Sequence, residues 1–375
     1  MKLKKQPVIL LAAGGTGGHL FPAEALAGVL KSRGVSVHLA TDQRGMAYGG
    51  AFPAVARHEI RAATPSGKSP WALLKAIFVL LRGIVQSYRL ILKIKPDAVI
   101  GFGGYPSVPP LMGAVLAGVP TFIHEQNGVM GRANRFVAPF VKAIATGFER
   151  PKGLSEKYAV KTHHVGNPVR PLVREAMQIT YPACHAPSEF YLLVTGGSQG
   201  ARVMSTVVPE AIALLSTDIK ARMRVTHQAR GDDLETAKSL YERAGVHADI
   251  RAFFDDLPLR IAHAHLVIGR AGASTIAELA VIGRPSILVP LPGSLDQDQA
   301  ANAESLSKRG AALVISQNDF TAESLAGHLT DLITHPDRLT DSSRAAKSAG
   351  IADAAERFAL LIADNLGLDF KGQSS

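Results

Sequence analysis

The sequence predicts an α/β protein made of two doubly wound parallel sheets. Three observations lead to this prediction. Short apolar runs alternate with helical patterns along all 375 residues, which is the pattern of successive βαβ units. Two apolar runs lead into glycine-rich turns about half a chain apart, at residues 8–19 and 190–201, and each has the form of the opening of its own domain. The length also suits two domains better than one.

Ten apolar runs are predicted to be buried strands. Strands of a parallel sheet are covered on both faces, so they read as continuous apolar runs and not as alternating ones. The ten runs are residues 8–13, 35–40, 98–100, 121–123, 143–146, 190–194, 222–226, 266–268, 286–289 and 312–315.

The domain boundary is predicted within residues 166–187, a segment with four prolines and no clear period. An N-terminal domain is expected over residues 1–167 and a C-terminal one over residues 168–349. A helical pattern from about residue 350 to the polar tail is free to pack back on the first domain.

Composition and charge narrow the function classes. One cysteine, Cys184, excludes an internal disulfide and a cysteine-based metal cluster, which fits a reducing compartment. The net charge of +10 is uneven, because residues 1–167 carry 21 Lys and Arg against 7 Asp and Glu. A basic half attracts phosphates, nucleic acid or an anionic membrane surface.

Two apolar segments imitate membrane signals. The run at residues 8–13 follows three lysines but is short for a secretory core, so a first strand is the preferred interpretation. Residues 71–94 are rich in Leu, Ile and Val, but Lys75, Arg82 and Arg89 interrupt them. A spanning helix needs about 20 mostly apolar residues, so no transmembrane segment is expected.

Polar clusters follow three strands of the first half. They are Gly-Gly-Thr-Gly-Gly-His at 14–19, Gly-Phe-Gly-Gly-Tyr-Pro-Ser at 101–107 and His-Glu-Gln-Asn-Gly at 124–128. Parallel strands end at one edge of their sheet, which is where open α/β sheets bind ligands. A nicotinamide-dependent dehydrogenase is the rival interpretation, since Asp42 ends the second strand, but Leu20 occupies the place of the third glycine of that fingerprint.

The second half carries two more glycine-rich turns and a polar run. Residues 195–201 form a turn suited to an anion. Residues 269–278 end in Glu278, which either completes a capping box with Thr275 or accepts hydrogen bonds from a ribose diol. In residues 296–302, Asp-Gln-Asp suggests either a Mg²⁺ or Mn²⁺ site or contacts to sugar hydroxyls.

Taken in order, these motifs resemble the MurG family of peptidoglycan glycosyltransferases over nearly the whole chain. The resemblance rests on residues 14–19, 101–107, 124–127, 166–170, 196–201, 270–278 and 296–302. It implies a GT-B fold, two Rossmann-like domains facing across a cleft. It also implies transfer of N-acetylglucosamine from UDP-N-acetylglucosamine to lipid I, undecaprenyl-pyrophosphoryl-MurNAc-pentapeptide, giving lipid II. No cofactor, metal or nucleic acid is implied.

The resemblance also implies roles for particular residues. Glu278 would hold the ribose diol, Ser198 would meet the diphosphate and Phe254 would lie near the uracil. The other implied nucleotide contacts are Ala273, Ser274, Thr275, Ile276 and Ala277. Asp296, Gln299 and Asn302 would face the sugar. Gly15, Thr16, Gly17, Asn127 and Arg170 would contact the sugar or the acceptor.

Sugar transfer with inversion needs a base for the acceptor hydroxyl, and histidine is the usual choice near neutral pH. His19 is the candidate because its loop is expected to face the ligand. His124 and Glu125 are the reserve. The alternative is that His19 only binds acceptor phosphate or orders its loop.

The segment from Lys68 to Ile91 is predicted to be a helix that lies on a membrane. Lys68, Lys75, Arg82 and Arg89 recur every seven residues and so share one stripe, beside an apolar stripe of Trp71, Leu74, Phe78, Leu81 and Val85. The rival is a core helix, and Ile77, Leu80, Ile84 and Ile91 are expected to be buried in either case. With the basic first half, this predicts a peripheral enzyme on the cytoplasmic face of the bacterial inner membrane.

Overall fold

The computed structural model describes residues 6–47, 52–62, 70–185, 187–197, 201–293 and 298–368, apart from the side chains of residues 70 and 72. The chain divides into two compact units, residues 1–170 with 353–375 and residues 171–352. The first will be called the N-terminal unit and the second the C-terminal unit. The boundary expected from the sequence, between residues 167 and 168, lies three residues from the point of division.

The described residues contain thirteen strands. In chain order they are β1 (Val8–Ala12), β2 (Ser36–Thr41), β3 (Ala56–Glu59), β4 (Ala98–Gly101), β5 (Thr121–Glu125), β6 (Ala143–Thr146), β7 (Thr162–His164), β8 (Phe190–Thr195), β9 (Met223–Gln228), β10 (His247–Arg251), β11 (Leu266–Gly269), β12 (Ser286–Leu288) and β13 (Ala312–Val314).

Fifteen α-helices connect and cover these strands within the described part of the chain. They are α1 (Gly17–Ser32), α2 (Gln43–Met46), α3 (Pro70–Ile94), α4 (Val108–Leu116), α5 (Arg132–Val137), α6 (Pro171–Ala176), α7 (Arg202–Ala213), α8 (Thr217–Arg222), α9 (Asp232–Ala244), α10 (Leu257–His263), α11 (Ala273–Ile282), α12 (Asp298–Ser307), α13 (Ala322–Thr334), α14 (Pro336–Ala349) and α15 (Ala354–Leu366). Three 3₁₀ turns lie at Tyr105–Ser107, Ala138–Phe140 and Glu156–Lys161.

The N-terminal unit is a parallel sheet in the order β3-β2-β1-β4-β5-β6-β7, with helices on both faces. Side chains alternate along a strand, so β1 sends Ile9 and Leu11 into the layer of α1 and α15. Leu10 and Ala12 enter the opposite layer, with α4 and α5. The C-terminal helix α15 therefore contributes to the core of the N-terminal unit.

The C-terminal unit repeats this plan with six strands in the order β10-β9-β8-β11-β12-β13. All its strand pairs are parallel, as βαβ connections require. The core on one face joins β8, β9 and β11 to α7, α9 and α13. Two doubly wound parallel sheets are the predicted fold class, and the structure confirms it.

Each of the ten apolar runs is a strand, but the sequence missed β3, β7 and β10. All three are edge strands of their sheets. They read Ala-Arg-His-Glu, Thr-His-His and His-Ala-Asp-Ile-Arg, and their side chains are at best half-buried. These three edge strands are only partly covered and carry polar side chains, so they lack the continuous apolar run on which the prediction relied.

Candidate functional site

The N-terminal unit has its candidate site where the strand order reverses, between β1 and β4. Ala12 pairs with Gly101, and Gly101 in turn pairs with Ile123 of β5. The three polar clusters that follow these strands therefore meet at one edge of the sheet, as predicted. This reversal point is where doubly wound sheets bind ligands.

His19 is enclosed by three glycines of this edge. A Cβ added to Gly14, Gly103 or Gly104 would lie within 3.5 Å of an atom of its imidazole ring. Gly103 and Gly104 also have φ angles of +80° and +71°, which side chains with a Cβ rarely adopt. Burial lowers the pKa of His19, while the Phe102 carbonyl and the Gln126 side chain act in the opposite direction. The ring is thus neutral near pH 7, as a general base must be.

The loop that carries Gly15, Thr16 and Gly17 leads directly into α1. Thr16 is the N-cap residue, but its side chain caps no backbone amide, and its carbonyl accepts from the amides of His19 and Leu20. The first amides of a helix lack partners within it, so this turn offers donors to an anion. Pro22 is the sixth residue of α1, which begins at Gly17.

Asp42 and α2 form one wall of the same loop. A Cβ on Gly15 would lie 2.3 Å from the Gly45 nitrogen and 2.5 Å from Asp42 Oδ1, so no larger residue fits. Asp42 Oδ1 accepts from the Gly45 amide, and Oδ2 accepts from Arg44 at 3.0 Å. A dehydrogenase would need this carboxylate for a ribose. Here it caps a short helix, which argues against the dehydrogenase interpretation.

His124 lies inside the N-terminal unit. It is fully buried, its Nε2–H donates to the Gly166 carbonyl at 2.9 Å, and its ring contacts Phe102 and Phe358. Burial lowers its pKa to about 4. These contacts give His124 a structural role in tying β5 to the segment that leaves the unit.

Glu125 is buried with both carboxylate oxygens occupied. Oε1 accepts from the amide and side chain of Asn127, and Oε2 accepts from the Gly131 amide and Asn134 Nδ2. Burial raises the pKa of Glu125, and these four donors oppose that effect. A catalytic role for Glu125 stays a prediction, while its contacts fix Asn127 and the loop that follows β5.

Two carboxamides complete this edge. Gln126 Nε2 donates to the Phe102 carbonyl at 2.8 Å, which joins the ends of β4 and β5. Asn167 Nδ2 donates to the Gln126 carbonyl at 2.9 Å. The sequence showed Gln126 only as part of the motif at residues 124–128. Its hydrogen bond to Phe102 could not be predicted, because the two residues are 24 positions apart along the chain.

Arg170 is brought to the first turns of α1. Its guanidinium lies 4.2 Å from the centre of the Phe21 ring, and Phe21 is also the nearest neighbour of Gly17. A cation held there lies close to the glycine-rich turn, and contact of Arg170 with the sugar or the acceptor stays a prediction. The stacking explains why an arginine fits better than a lysine, since only the planar guanidinium stacks on a ring.

In the C-terminal unit, the strand order reverses between β8 and β11. After β8, Thr195 Oγ1 donates to Gln228 Oε1 and accepts from the Gly197 amide, which turns the chain at the strand end. Ser198 and Asp296, both predicted as contacts to the donor, lie outside the described residues, as does Lys68.

Glu278 lies well inside α11. The helix begins at Ala273 with Gly272 as its N-cap residue, so Thr275 is the third helical residue and Glu278 the sixth. The capping-box alternative is therefore wrong, because Thr275 is not at the start of the helix. Glu278 is 7% exposed. Among the flanking residues, Ala273 and Ile276 are buried and Ser274, Thr275 and Ala277 are half-buried.

Gln299 and Asn302 hold the peptide before α11 from both sides. Gln299 Oε1 accepts from the amides of Ala271 and Leu291, and Asn302 Nδ2 donates to the Ala271 carbonyl at 3.1 Å. Spaced three apart on α12, the two side chains reach the amide and the carbonyl of one residue, Ala271. Direct contact of either residue with the sugar stays a prediction, and their observed contacts position the loop after β11.

Arg270 is a residue whose role the sequence did not reveal. It is buried and donates to the carbonyls of Val289 and Pro290 and to Gln317 Oε1. Burial lowers its pKa. It joins the loops after β11, β12 and β13, contacts that span up to 47 residues of sequence.

Phe254, predicted near the uracil, is 3% exposed, whereas its neighbour Phe253 is 56% exposed. The guanidinium of Arg260 lies 4.1 Å from the centre of the Phe254 ring, and Arg251 lies 5.5 Å from it. Phe254 therefore anchors the loop after β10, and the ring available to a base is that of Phe253.

No group of three or more His, Cys, Asp or Glu side chains in the described segments is placed to hold a metal ion. Asp298, the second carboxylate of the Asp-Gln-Asp sequence, begins α12, where its Oδ1 accepts from the Gln299 amide. This contact is an ordinary one for the first turn of a helix.

The helix α3 carries the predicted membrane residues on an exposed face. Trp71 is 81% exposed, and the remaining members of the apolar stripe, Leu74, Phe78, Leu81 and Val85, are exposed too. Lys75, Arg82 and Arg89 are exposed beside them, and Arg82 lies over the Phe78 ring.

The opposite face of α3 packs against α4, and a Cβ on Gly83 would lie 2.1 Å from the Arg61 carbonyl oxygen. Ile91 is buried and Leu80 and Ile84 are half-buried, but Ile77 is exposed. The expected burial of Ile77 was wrong, because the apolar stripe is wider than the sequence suggested. None of the helices within the described ranges combines the length and apolarity that crossing a bilayer requires.

Comparison with protein families gives two matches that together span most of the chain. Residues 9–146 match the glycosyltransferase family 28 N-terminal domain, and residues 191–358 match the glycosyltransferase family 28 C-terminal domain.

Among curated proteins, one from Methylobacterium sp. (strain 4-46) is 54% identical over 360 residues, covering 96% of this chain and 97% of its own. A second, from Rhizobium meliloti (strain 1021), is 50% identical over 355 residues, covering 95% and 94%. Both are named UDP-N-acetylglucosamine–N-acetylmuramyl-(pentapeptide) pyrophosphoryl-undecaprenol N-acetylglucosamine transferase.

Among solved structures, that of Acinetobacter baumannii MurG aligns with a TM-score of 0.75 and 28% identity, covering 96% of this chain and 99% of its own. The UDP-GlcNAc 2-epimerase from Neisseria meningitidis aligns with a TM-score of 0.68 at 13% identity, over 96% and 100% of the two chains, a likeness of fold alone.

Proposed function

The chain belongs to glycosyltransferase family 28, and from that premise we propose that it makes lipid II. It is an N-acetylglucosaminyltransferase that moves the sugar from UDP-N-acetylglucosamine to undecaprenyl-pyrophosphoryl-MurNAc-pentapeptide. The observation that carries this function is the 54% identity, over nearly the full length of both chains, to a transferase named for that donor and acceptor.

The C-terminal unit is the proposed donor site. The first amides of α11 lack helical partners and favour the negative charge of a diphosphate. Glu278, one turn further along the helix, is the proposed acceptor of hydrogen bonds from the ribose diol. Phe253 is the proposed platform for the uracil, because it offers the exposed ring of this loop.

The N-terminal unit is the proposed acceptor site and supplies the base. His19 Nε2 would take the proton of the muramoyl 4-hydroxyl while that oxygen bonds to the anomeric carbon. The bond from this carbon to the diphosphate oxygen breaks with inversion, and UDP leaves with the electron pair. Donors aimed at the growing charge on UDP contribute about 2.7–4 kcal/mol each in comparable anion sites.

The face of α3 is the proposed contact with the membrane. Its apolar stripe suits the acyl boundary and its basic stripe suits anionic headgroups, a combination typical of helices that lie in the interface. The acceptor carries a polyprenyl chain that does not leave the bilayer readily, so the enzyme must reach the membrane. The proposed location is the cytoplasmic face of the inner membrane, where UDP-sugars are made.

The reaction is tested by following radiolabelled N-acetylglucosamine from the UDP sugar to a lipid I analogue, with diacylglycerol-type glycolipid acceptors assayed in parallel. We expect transfer to the lipid I analogue alone. Transfer to the glycolipid instead would identify an enzyme of the same fold with another acceptor. A change in NADH fluorescence on titration would revive the dehydrogenase.

The membrane contact is tested with Lys75, Arg82 and Arg89 changed together to Gln. At roughly 1 kcal/mol per basic residue, binding to vesicles of phosphatidylglycerol and phosphatidylethanolamine should weaken about 100-fold. Activity on vesicle-embedded acceptor should fall, and activity on a short-chain soluble acceptor should not.

The matched control changes Lys238, Arg243 and Arg309, three exposed cations of the C-terminal unit, to Gln. If both triple variants lose vesicle binding equally, the loss comes from the lower net charge and not from α3. Unchanged vesicle binding in the α3 variant would refute this contact.

A further inference from the structure

Five buried side-chain atoms at the ligand edge of the N-terminal unit lack hydrogen-bond partners among the described residues. They are His19 Nδ1, His124 Nδ1, Gln126 Oε1, Asn134 Oδ1 and Asn167 Oδ1. A buried polar atom without a partner costs about 1–3 kcal/mol, so such atoms gather where function requires them. This edge therefore holds hydrogen-bonding capacity that the fold itself does not use.

Two of these atoms, His19 Nδ1 and Gln126 Oε1, belong to side chains that both lie close to Gly103. A Cβ on Gly103 would lie 3.4 Å from His19 Cε1 and 3.6 Å from Gln126 Oε1. Cε1 is bonded to both ring nitrogens, and of these two Nδ1 is the one that is buried without a partner, in the same surroundings as the unpartnered Oε1 of Gln126. Gly103 leaves the space beside them open because it has no side chain.

The amide of Gln126 is held in one orientation. Its Nε2 donates to the Phe102 carbonyl at 2.8 Å, so Oε1 is the end of the amide that is left to accept a hydrogen bond. Oε1 and the Phe102 carbonyl belong to the two groups whose hydrogen bonding raises the pKa of His19, and neither oxygen can donate a proton. A buried nitrogen beside such acceptors is more stable when it carries the hydrogen, so the neutral imidazole should be protonated on Nδ1, its buried and unpartnered nitrogen.

We propose that Gln126 is a positioning residue that keeps the proton of His19 on Nδ1 and thereby leaves the lone pair of Nε2 for the acceptor hydroxyl. This inference rests on the proposed function. In the reaction, Nε2 gains the hydroxyl proton as the new C–O bond forms and UDP departs with the electrons of the broken bond. The imidazolium then releases that proton to solvent, and Nδ1 keeps its own hydrogen throughout.

The charged neighbours of His19 do not decide which nitrogen is protonated. Arg44 lowers its pKa and Asp42 raises it, and these two residues of the α2 wall pair with each other. On the β5 side, His124 is bonded to the Gly166 carbonyl and Glu125 to its four donors. Gln126 is a neutral side chain whose hydrogen bonding acts on the pKa of His19, and its Oε1 has no other partner among the described residues.

The tautomer is measured directly by two-bond ¹H–¹⁵N NMR of the protein labelled at histidine nitrogens, with His19→Gln used to assign the signal. We expect His19 as the Nδ1–H tautomer above its pKa, and a mixture of tautomers in Gln126→Met, which keeps the length of the side chain and removes its acceptor. This readout needs no substrate, so it separates failure of the inference from failure of the proposed function.

Kinetics supply the second readout. Gln126→Met should lower kcat by up to about 10²-fold, the scale of a misplaced catalytic group, with the KM for UDP-N-acetylglucosamine unchanged. Gln126→Glu places a carboxylate against the ring, which raises the pKa of His19 and moves the acid limb of the kcat–pH profile to higher pH.

The control is Gln86→Met, which also removes a glutamine of the N-terminal unit that bonds twice to backbone, at Glu59 and Arg61. It should leave the tautomer and the acid limb unchanged. The inference is overturned by an Nε2–H tautomer in the unaltered enzyme. It is equally overturned if Gln126→Met and Gln126→Glu leave both the His19 signal and the acid limb where they were.

Discussion

The two units share one plan, a parallel sheet whose strand order reverses beside the candidate site. They differ in the side chains that lie at the carboxyl ends of the strands. In the N-terminal unit, two histidines, a carboxylate and three carboxamides gather at the strand ends, and several of their atoms lack partners among the described residues. In the C-terminal unit, Arg270, Gln299 and Asn302 bind the backbone of neighbouring loops. Titratable groups can transfer protons, and loops held by side-chain hydrogen bonds can bind a substrate in a fixed position. We therefore assign proton transfer to the edge of the N-terminal unit and binding of the sugar donor to that of the C-terminal unit.

The largest effect that this comparison predicts is on turnover. Replacing His19 by Ala removes the base from the N-terminal unit and should lower kcat by about 10²–10⁴-fold. Binding of UDP-N-acetylglucosamine, assigned to the other unit, should not change in isothermal calorimetry. A variant with near-normal kcat would show that His19 only orders its loop or binds phosphate.

Acid should weaken both units in a similar way. Each contains a buried histidine, His124 or His227, whose pKa is lowered to about 4 by burial, against 6.5 in the unfolded chain. Between these values the unfolded chain binds more protons, so stability falls as the pH is lowered. From pH 7.5 to 5 the loss is about 2 kcal/mol per histidine.

Hydrogen exchange read by mass spectrometry measures this loss in peptides from each unit separately. His124→Gln should flatten the pH dependence in the N-terminal unit, and His227→Gln should do so in the C-terminal unit. The exposed His163 serves as control, because His163→Gln should change neither. Acid sensitivity that persists in both variants would assign it to other groups.

Glu278 should show the reverse of the His19 pattern. Glu278→Gln keeps the shape of the side chain but weakens the contact to the ribose, which should cost about 1–3 kcal/mol, or roughly 5–150-fold in donor affinity. The melting temperature should change little, since no capping box depends on this residue. Glu304→Gln, an exposed carboxylate of the same unit paired with Lys308, is the control. Lost stability with unchanged UDP affinity would contradict the assignment.

The smallest expected effect is that of chelation. If loop amides and helix termini alone stabilise the leaving diphosphate, EDTA should leave the initial rate of transfer unchanged. Activity that EDTA abolishes and Mg²⁺ or Mn²⁺ restores would contradict this division of roles. The C-terminal unit would then take part in catalysis through a metal ion bound by Asp296 or Asp298.

The sequence by itself determined the two-sheet fold, the ten apolar strands and the exposed stripes of α3. In a buried parallel strand or an amphipathic helix, the spacing of apolar residues within a short segment shows which side chains are buried. Such features can therefore be read from the sequence. The glycine-rich turns after β1, β4, β8 and β11 were equally visible, because close approach of the backbone demands glycine at fixed offsets from a strand.

Only the tertiary structure decided the polar edge strands β3, β7 and β10, the place of Glu278 and the surroundings of the histidines. The polar edge strands depend on a neighbour strand for their conformation, and Glu278 could be judged only once the first residue of α11 was known. His124 meets the Gly166 carbonyl across 42 residues, and Gln126 meets that of Phe102 across 24. Hydrogen bonds between atoms so distant along the chain follow from how strands are ordered in the sheet, which no local pattern of residues encodes.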